Sequence, residues 1–108
     1  MPAPTYRLTP DAQADLIEIR QYTIQQWGID QARKYLSELR RTMYLLAEAP
    51  TLGKSRPEVG TNVLSFPHVS HVVYYMVHEQ QIVIFAVLHK RMVPMKHLIE
   101  RRKTNISR

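Results

Sequence analysis

Residues 71–89, HVVYYMVHEQQIVIFAVLH, decide the fold. His71 to Val77 and Ile82 to His89 are rich in Val, Ile, Tyr and Phe, which suit a pleated, half-buried surface, and His78-Glu79-Gln80-Gln81 between them is a short polar link. The stretch reads as two antiparallel strands joined by a hairpin. Alternation places Val73, Tyr75 and Val77 opposite Val72, Tyr74 and Met76, and in the second strand Ile82, Ile84 and Leu88 opposite Val83, Phe85 and Val87. Neither face is polar. An antiparallel sheet commonly leaves one face in water, so this one requires a cover on each side.

Upstream, Asn62 to Phe66 continues the period of two and makes a three-stranded antiparallel meander. Thr51 to Thr61, with two Gly and one Pro, reads as a loop. Before it lie two helices. Thr9-Pro10-Asp11 is a helix start, with a capping hydroxyl, Pro at the first position and a carboxylate in the first turn. Ala12, Leu16, Ile19, Thr23 and Trp27 then form a stripe, widened by Ile17 and Ile24, and Gly28 ends the helix. Asp30 caps a second helix with the inner face Ala32, Leu36, Leu39, Met43 and Leu46, which Pro50 closes. A connection of Gly28 and Ile29 makes an antiparallel helical hairpin, the first cover. Thr5 to Thr9 is a short initial strand.

Downstream, Pro94 to Arg102 reads as a short terminal helix with Met95, Leu98 and Ile99 inward, and residues 103–108 as a flexible basic tail. That helix is small for the second cover, so a partner is expected to complete it. The architecture is α+β: strand, helical hairpin, three-stranded meander, short helix. At 108 residues, 44% hydrophobic and 22% charged, residues 1–108 make one globular domain.

Cys is absent, which excludes disulfides and thiolate–zinc sites. The opening Met1-Pro2-Ala3-Pro4-Thr5-Tyr6 lacks the pattern of a secretory signal, and no apolar run approaches the roughly 20 residues of a membrane span, so the expectation is a cytoplasmic protein without a membrane partner. Net charge is +6. Through Pro50, Arg7, Arg20, Arg33, Lys34, Arg40 and Arg41 balance Asp11, Asp15, Glu18, Asp30, Glu38 and Glu48; the excess lies wholly beyond, mostly from Lys90 onward. Such a field attracts polyanions and acidic protein segments, and it also serves solubility.

Five His residues (His68, His71, His78, His89, His97) raise the possibility of acid–base or metal chemistry. His68 and His71 would point to opposite faces if they shared a strand, and no carboxylate cluster accompanies them, so no metal site and no cofactor is expected. His71 and His89 fall at adjoining strand ends and, beside Lys90 and Arg91, would suit phosphodiester cleavage, with one imidazole as base and another as acid. The alternative is that both imidazoles satisfy hydrogen bonds at strand ends. No Gly-rich phosphate loop, Gly-x-Ser-x-Gly turn or dinucleotide fingerprint is present. Tyr22, Trp27, Tyr35, Tyr44, Tyr74 and Tyr75 fall in or beside helical stripes and inside a strand, which reads as core.

Pro50-Thr51-Leu52-Gly53 with Arg56-Pro57, Ser70-His71-Val72-Val73-Tyr74-Tyr75, and Val87-Leu88-His89-Lys90-Arg91-Met92 resemble the ParE branch of the RelE/ParE toxin superfamily. So does the opening, Thr9-Pro10 with Ala12, Asp15-Leu16, Tyr22 and Trp27-Gly28, and the resemblance spans roughly residues 5–99. It implies a type II toxin wrapped by the acidic C-terminal segment of a cognate antitoxin, for which Arg56, Tyr74, Met76, Val83 and Phe85 are the candidate contacts. It also implies DNA gyrase as target, engaged non-catalytically through Lys90, Arg91, Lys96, Arg101 and Arg102, and operator DNA reached only through the antitoxin complex. The RelE branch instead cleaves messenger RNA on the ribosome, which here would fall to His71, His89, Lys90 and Arg91. In that set His71 stands where an Arg is expected, and no Tyr follows Tyr75. From the ParE pattern the chain departs at Ala86, often Arg, and at Val93, often Asp. An inactive relative kept as an antitoxin-binding co-repressor is the third reading.

Overall fold

A computed structural model of the chain describes residues 5–91 and 95–106. Strand β1 (Tyr6–Leu8) leads into helix α1 (Pro10–Trp27), which is followed by α2 (Ile29–Glu48), a 3-10 turn (Pro50–Leu52), β2 (Lys54–Ser55), β3 (Val63–His68), β4 (His71–His78), β5 (Gln81–His89) and α3 (Met95–Ile106). One five-stranded sheet results, in the order β1-β5-β4-β3-β2, with β1 parallel to β5 and every other pair antiparallel.

The expected signals act locally as their chemistry requires. The Thr9 hydroxyl accepts from the Ala12 N–H at 3.2 Å, with Pro10 beginning the helix. Gly28, at φ +93°, both ends α1 and caps α2, a conformation that other residues adopt only under strain. Asp30 therefore lies in the first turn of α2, not at its cap, where its charge still complements the helix dipole. The stripe Ala32, Leu36, Leu39, Met43 and Leu46 is buried as its spacing predicts. On α1 the buried positions are Ala12, Asp15, Ile19 and Thr23. Trp27, expected inside, is 73% exposed, because successive steps of four have rotated it off the stripe by the last turn. Tyr22 and Tyr44 are likewise exposed.

Four further differences are physical. The loop read across residues 51–61 contains β2, which pairs Lys54 with Ser65 and Ser55 with Leu64. β3 extends to His68 through Pro67, tolerated because β2 gives β3 no outer neighbour beyond Ser65. β5 carries a bulge: Tyr74 pairs with Ala86 but Tyr75 with Ile84, leaving Phe85 as the extra residue. The bulge exchanges faces downstream, so that Val87 packs with Ile82 and Ile84 under the helical hairpin while Leu88 packs with Phe85 on the other side. Finally, α3 runs to Ile106, so the expected tail is helical from 103 to 106; Val93, Pro94 and residues 107–108 lie outside the described residues.

The two covers are α1 with α2, over Val73, Tyr75, Ile82, Ile84 and Val87, and α3 with the turn around Val59, over Val63, Tyr74, Phe85 and Ala86. Leu98 of α3 is fully buried in the second cluster. The chain thus supplies much of the cover expected from a partner. Among the described residues no helix is long and apolar enough to cross a membrane.

Candidate functional site

β1 accompanies β5 only as far as Ile84, whose carbonyl accepts from the Thr9 N–H at 3.0 Å. Beyond it the outer edge of β5 is met by side chains. The Val87 N–H donates to Asp15 Oδ2 at 2.9 Å. Arg101 of α3 forks onto the same carboxylate, Nη1 to Oδ2 at 2.6 Å and Nη2 to Oδ1 at 3.0 Å, and Nη1 reaches the Phe85 carbonyl oxygen at 3.5 Å. With β1 ended, these edge groups have no strand partner, and here an ion pair receives them. The Asp15 and Arg101 side chains are only 7% and 12% exposed. Burial alone would loosen the guanidinium proton, but the hydrogen bond and charge of Asp15 outweigh it, and the Arg101 pKa is raised.

Under α2, at the far ends of the strands, three imidazoles stand in a row. His68 pairs with His71 across the Val69-Ser70 turn, and His71 pairs with His89 on β5. His68 and His71 therefore lie on separate strands, not one, and share a face. The His71 and His89 rings meet edge to face at 5.5 Å, and Tyr35 of α2 touches both His68 and His71. The Tyr35 phenol donates to the His68 carbonyl at 3.2 Å while its oxygen lies 2.6 Å from His71 Nδ1, an arrangement completed by a neutral His71 with its proton on Nδ1. Thr42 Oγ1 meets His68 Nδ1 at 2.9 Å. Burial, reinforced by the positive potential of His89 and His68, pushes His71 down to about 4 despite Asp15. His68 is lowered by burial against the opposing pull of Glu38.

Such a histidine is uncharged at neutral pH and a poor proton acceptor. A cavity of about 450 Å³ opens beside His71, His89 and Arg91, walled by Tyr22 and Glu18. Lys90 does not line it; Lys90 lines a cavity on the α3 face of the sheet and another, at the Val69-Ser70 turn, with His89 and Arg91. The structure thus joins His71 to His89 and separates Lys90 from His71. Among the described residues no group of three or more His, Asp or Glu is placed to hold a metal ion.

Of the basic residues expected at a target, Lys90, Arg91 and Lys96 are exposed. Arg101 is not: its guanidinium is engaged by Asp15. Arg102 lies partly buried against Gly60, where an added Cβ would collide with it. Of the antitoxin candidates, Arg56 is reachable, donating from Nε to Ser65 Oγ at 2.7 Å and standing 3.6 Å from Glu58. Tyr74, Met76, Val83 and Phe85 are buried within the chain, Tyr74 and Phe85 in the cluster that holds Leu98 of α3, so none of them presents a free surface. Sequence reasoning overlooked Asp15, Tyr35 and Thr42. Asp15 carries one usable signal, a carboxylate standing on the same stripe as Ala12, Ile19 and Thr23.

Residues 6–94 match the family described as the ParE toxin of the type II toxin–antitoxin system parDE. Toxin ParE1 of Caulobacter vibrioides is 38% identical over 93 residues, covering 86% of this chain and 96% of that protein. Toxin ParE1 of Mycobacterium tuberculosis is 39% identical over 88 residues, 81% and 90% of the two chains. Toxin ParE of Escherichia coli is 31% identical over 99 residues, 91% and 96%. Among solved structures, a chain of a chromosomal ParDE toxin–antitoxin system from P. aeruginosa superposes with a TM-score of 0.69 at 19% identity, covering 81% of this chain and 96% of that one, which shows the shared fold.

Proposed function

The chain belongs to the ParE toxin family of type II toxin–antitoxin systems, and on that premise we propose that it acts in the cytoplasm as a non-catalytic poison of DNA gyrase, neutralised by a cognate antitoxin with an acidic C-terminal segment. The observation that carries the non-catalytic reading is the state of His71. With its pKa near 4 and its Nδ1 engaged by Tyr35, it is neither the protonated acid nor an effective base that strand cleavage would need, and Lys90 does not line the cavity beside it. What remains exposed at that end is cationic surface, Lys90, Arg91 and Lys96, suited to binding.

A supercoiling assay tests this. The purified chain is expected to inhibit gyrase and to accumulate cleaved DNA. Growth arrest accompanied by neither effect would overturn the target assignment while leaving family membership untouched.

A further inference from the structure

The α3 face of the sheet is not covered evenly. Leu98 seals its centre, but towards the His68–His71 turn Val72 is only partly buried and Pro67 is exposed. Over this remnant lies a cavity of about 480 Å³, bounded by Lys54 at the β2 edge, Arg56 and, at the end of β5, Lys90, with Pro67, Val72 and Met95 as its apolar part.

The charges around it are unbalanced. Arg56 is tied to Ser65 and stands near Glu58, the one carboxylate present, whereas the side chains of Lys54 and Lys90 have no hydrogen-bond or ion-pair partner among the described residues. Three cations against one anion, over aliphatic surface, favour an occupant that carries negative charge next to an apolar side chain. Single-stranded nucleic acid would satisfy the charges, but it also needs an exposed ring on which to stack a base. Tyr74, the aromatic ring of this cavity, is 4% exposed. A peptide with Asp or Glu adjacent to aliphatic residues meets both requirements.

We propose that this cavity anchors the acidic segment of the antitoxin, one carboxylate bridging Lys54 and Lys90 while a neighbouring aliphatic side chain covers Val72 and Pro67. The assignment rests on the reading that an acidic antitoxin neutralises the chain. It adds a mechanism to that reading: Lys90 belongs both to this cavity and to the exposed cationic end, so the bound segment occludes part of the surface through which a target would be engaged.

The test uses the full chain, the antitoxin purified from the same operon and, as a nucleic-acid probe, a 12-nucleotide single-stranded DNA. Lys54→Gln with Lys90→Gln is expected to weaken antitoxin binding by about tenfold or more and to flatten its salt dependence. Arg33→Gln with Lys34→Gln, which removes the same charge from the exposed side of α2, should change affinity less than about twofold. All four positions are exposed, and an unchanged Tm confirms that folding is intact. Unchanged antitoxin affinity in the Lys54/Lys90 variant would overturn the cavity assignment and leave the antitoxin reading standing. Antitoxin binding that is undetectable even for the unsubstituted chain would overturn both. DNA binding that the two substitutions abolish, with antitoxin affinity retained, would assign the cavity to nucleic acid instead.

Discussion

At the scale of single residues, Asp15 has the greatest structural consequence. Its carboxylate answers the Val87 N–H and the Arg101 guanidinium together, so removing it strips a buried donor of its acceptor and leaves Arg101 with only the longer 4.0 Å approach to the Asp11 carboxylate. Asp15→Ala should lower unfolding stability by about 3–5 kcal/mol in a urea titration, and a loss under about 1 kcal/mol would show the pair to be idle. His71 gives the pH dependence. Its folded pKa, about 4, is below the ordinary 6.5, so as pH falls the unfolded chain takes the proton first. The contribution is intact above about 6.5 and is lost progressively towards 4, and His68 acts in the same direction. Urea midpoints at pH 7.5, 5.5 and 4.5 should decline in that order, and His71→Gln should flatten the decline. Neither residue could be assigned from sequence. Asp15 stands on the buried stripe of α1, but what it does there stays hidden until its partner, 86 positions away, is located. The His71–His89 contact was legible because antiparallel pairing brings those strand ends together, whereas the Tyr35 hydroxyl that sets its chemistry comes from another layer.

At the scale of elements, period and capping chemistry made both long helices and the three long strands legible, with ends within about two residues. The bulge was not. When both faces of a strand are apolar, a slip of one residue leaves no mark in the polarity pattern, and it emerges only in the pairing of Tyr75 with Ile84. β2 escaped notice because two residues are too few to display a period. α3 is held by Leu98 from the apolar side and by Arg101 from the polar side. Leu98→Ala should cost about 2–5 kcal/mol and increase dye binding to the uncovered Tyr74 and Phe85, measurable by denaturation and by fluorescence. The 3-10 turn and Gly53 after it lie against Tyr75, whose hydroxyl donates to the Pro50 carbonyl at 2.7 Å. A Cβ at Gly53 would collide with that hydroxyl, and Gly53→Ala is therefore expected to destabilise by about 1–3 kcal/mol, read as a lowered Tm.

At the scale of the whole molecule, the charge asymmetry of the sequence becomes a difference between sides. The helical hairpin carries the balanced half, while the sheet's open end and α3 carry the excess. Part of that excess is internal, since Arg101 answers Asp15. On the non-catalytic function proposed above, Ala at His71, His89, Lys90 and Arg91 together should produce no change in messenger RNA cleavage patterns; any set of cuts that disappears in this variant would restore the nuclease reading. Antitoxin binding measured by calorimetry should show a large negative heat-capacity change, corresponding to about 1,000–3,000 Å² buried as a segment folds onto this chain.

The bond between Asp15 and Arg101 also sets a schedule for biosynthesis. β1 has no neighbour until β5 has been made, and the carboxylate of α1 has no guanidinium until α3 emerges from the ribosome. A nascent chain stopped between β5 and residue 101 can pair β1 and close the cover of α1 and α2, but it holds an unanswered buried charge at Asp15 and lacks α3 over the other face. The finished surface therefore comes into existence only once α3 has been made, which gives an antitoxin already present in the cell the time of that synthesis to be waiting for it.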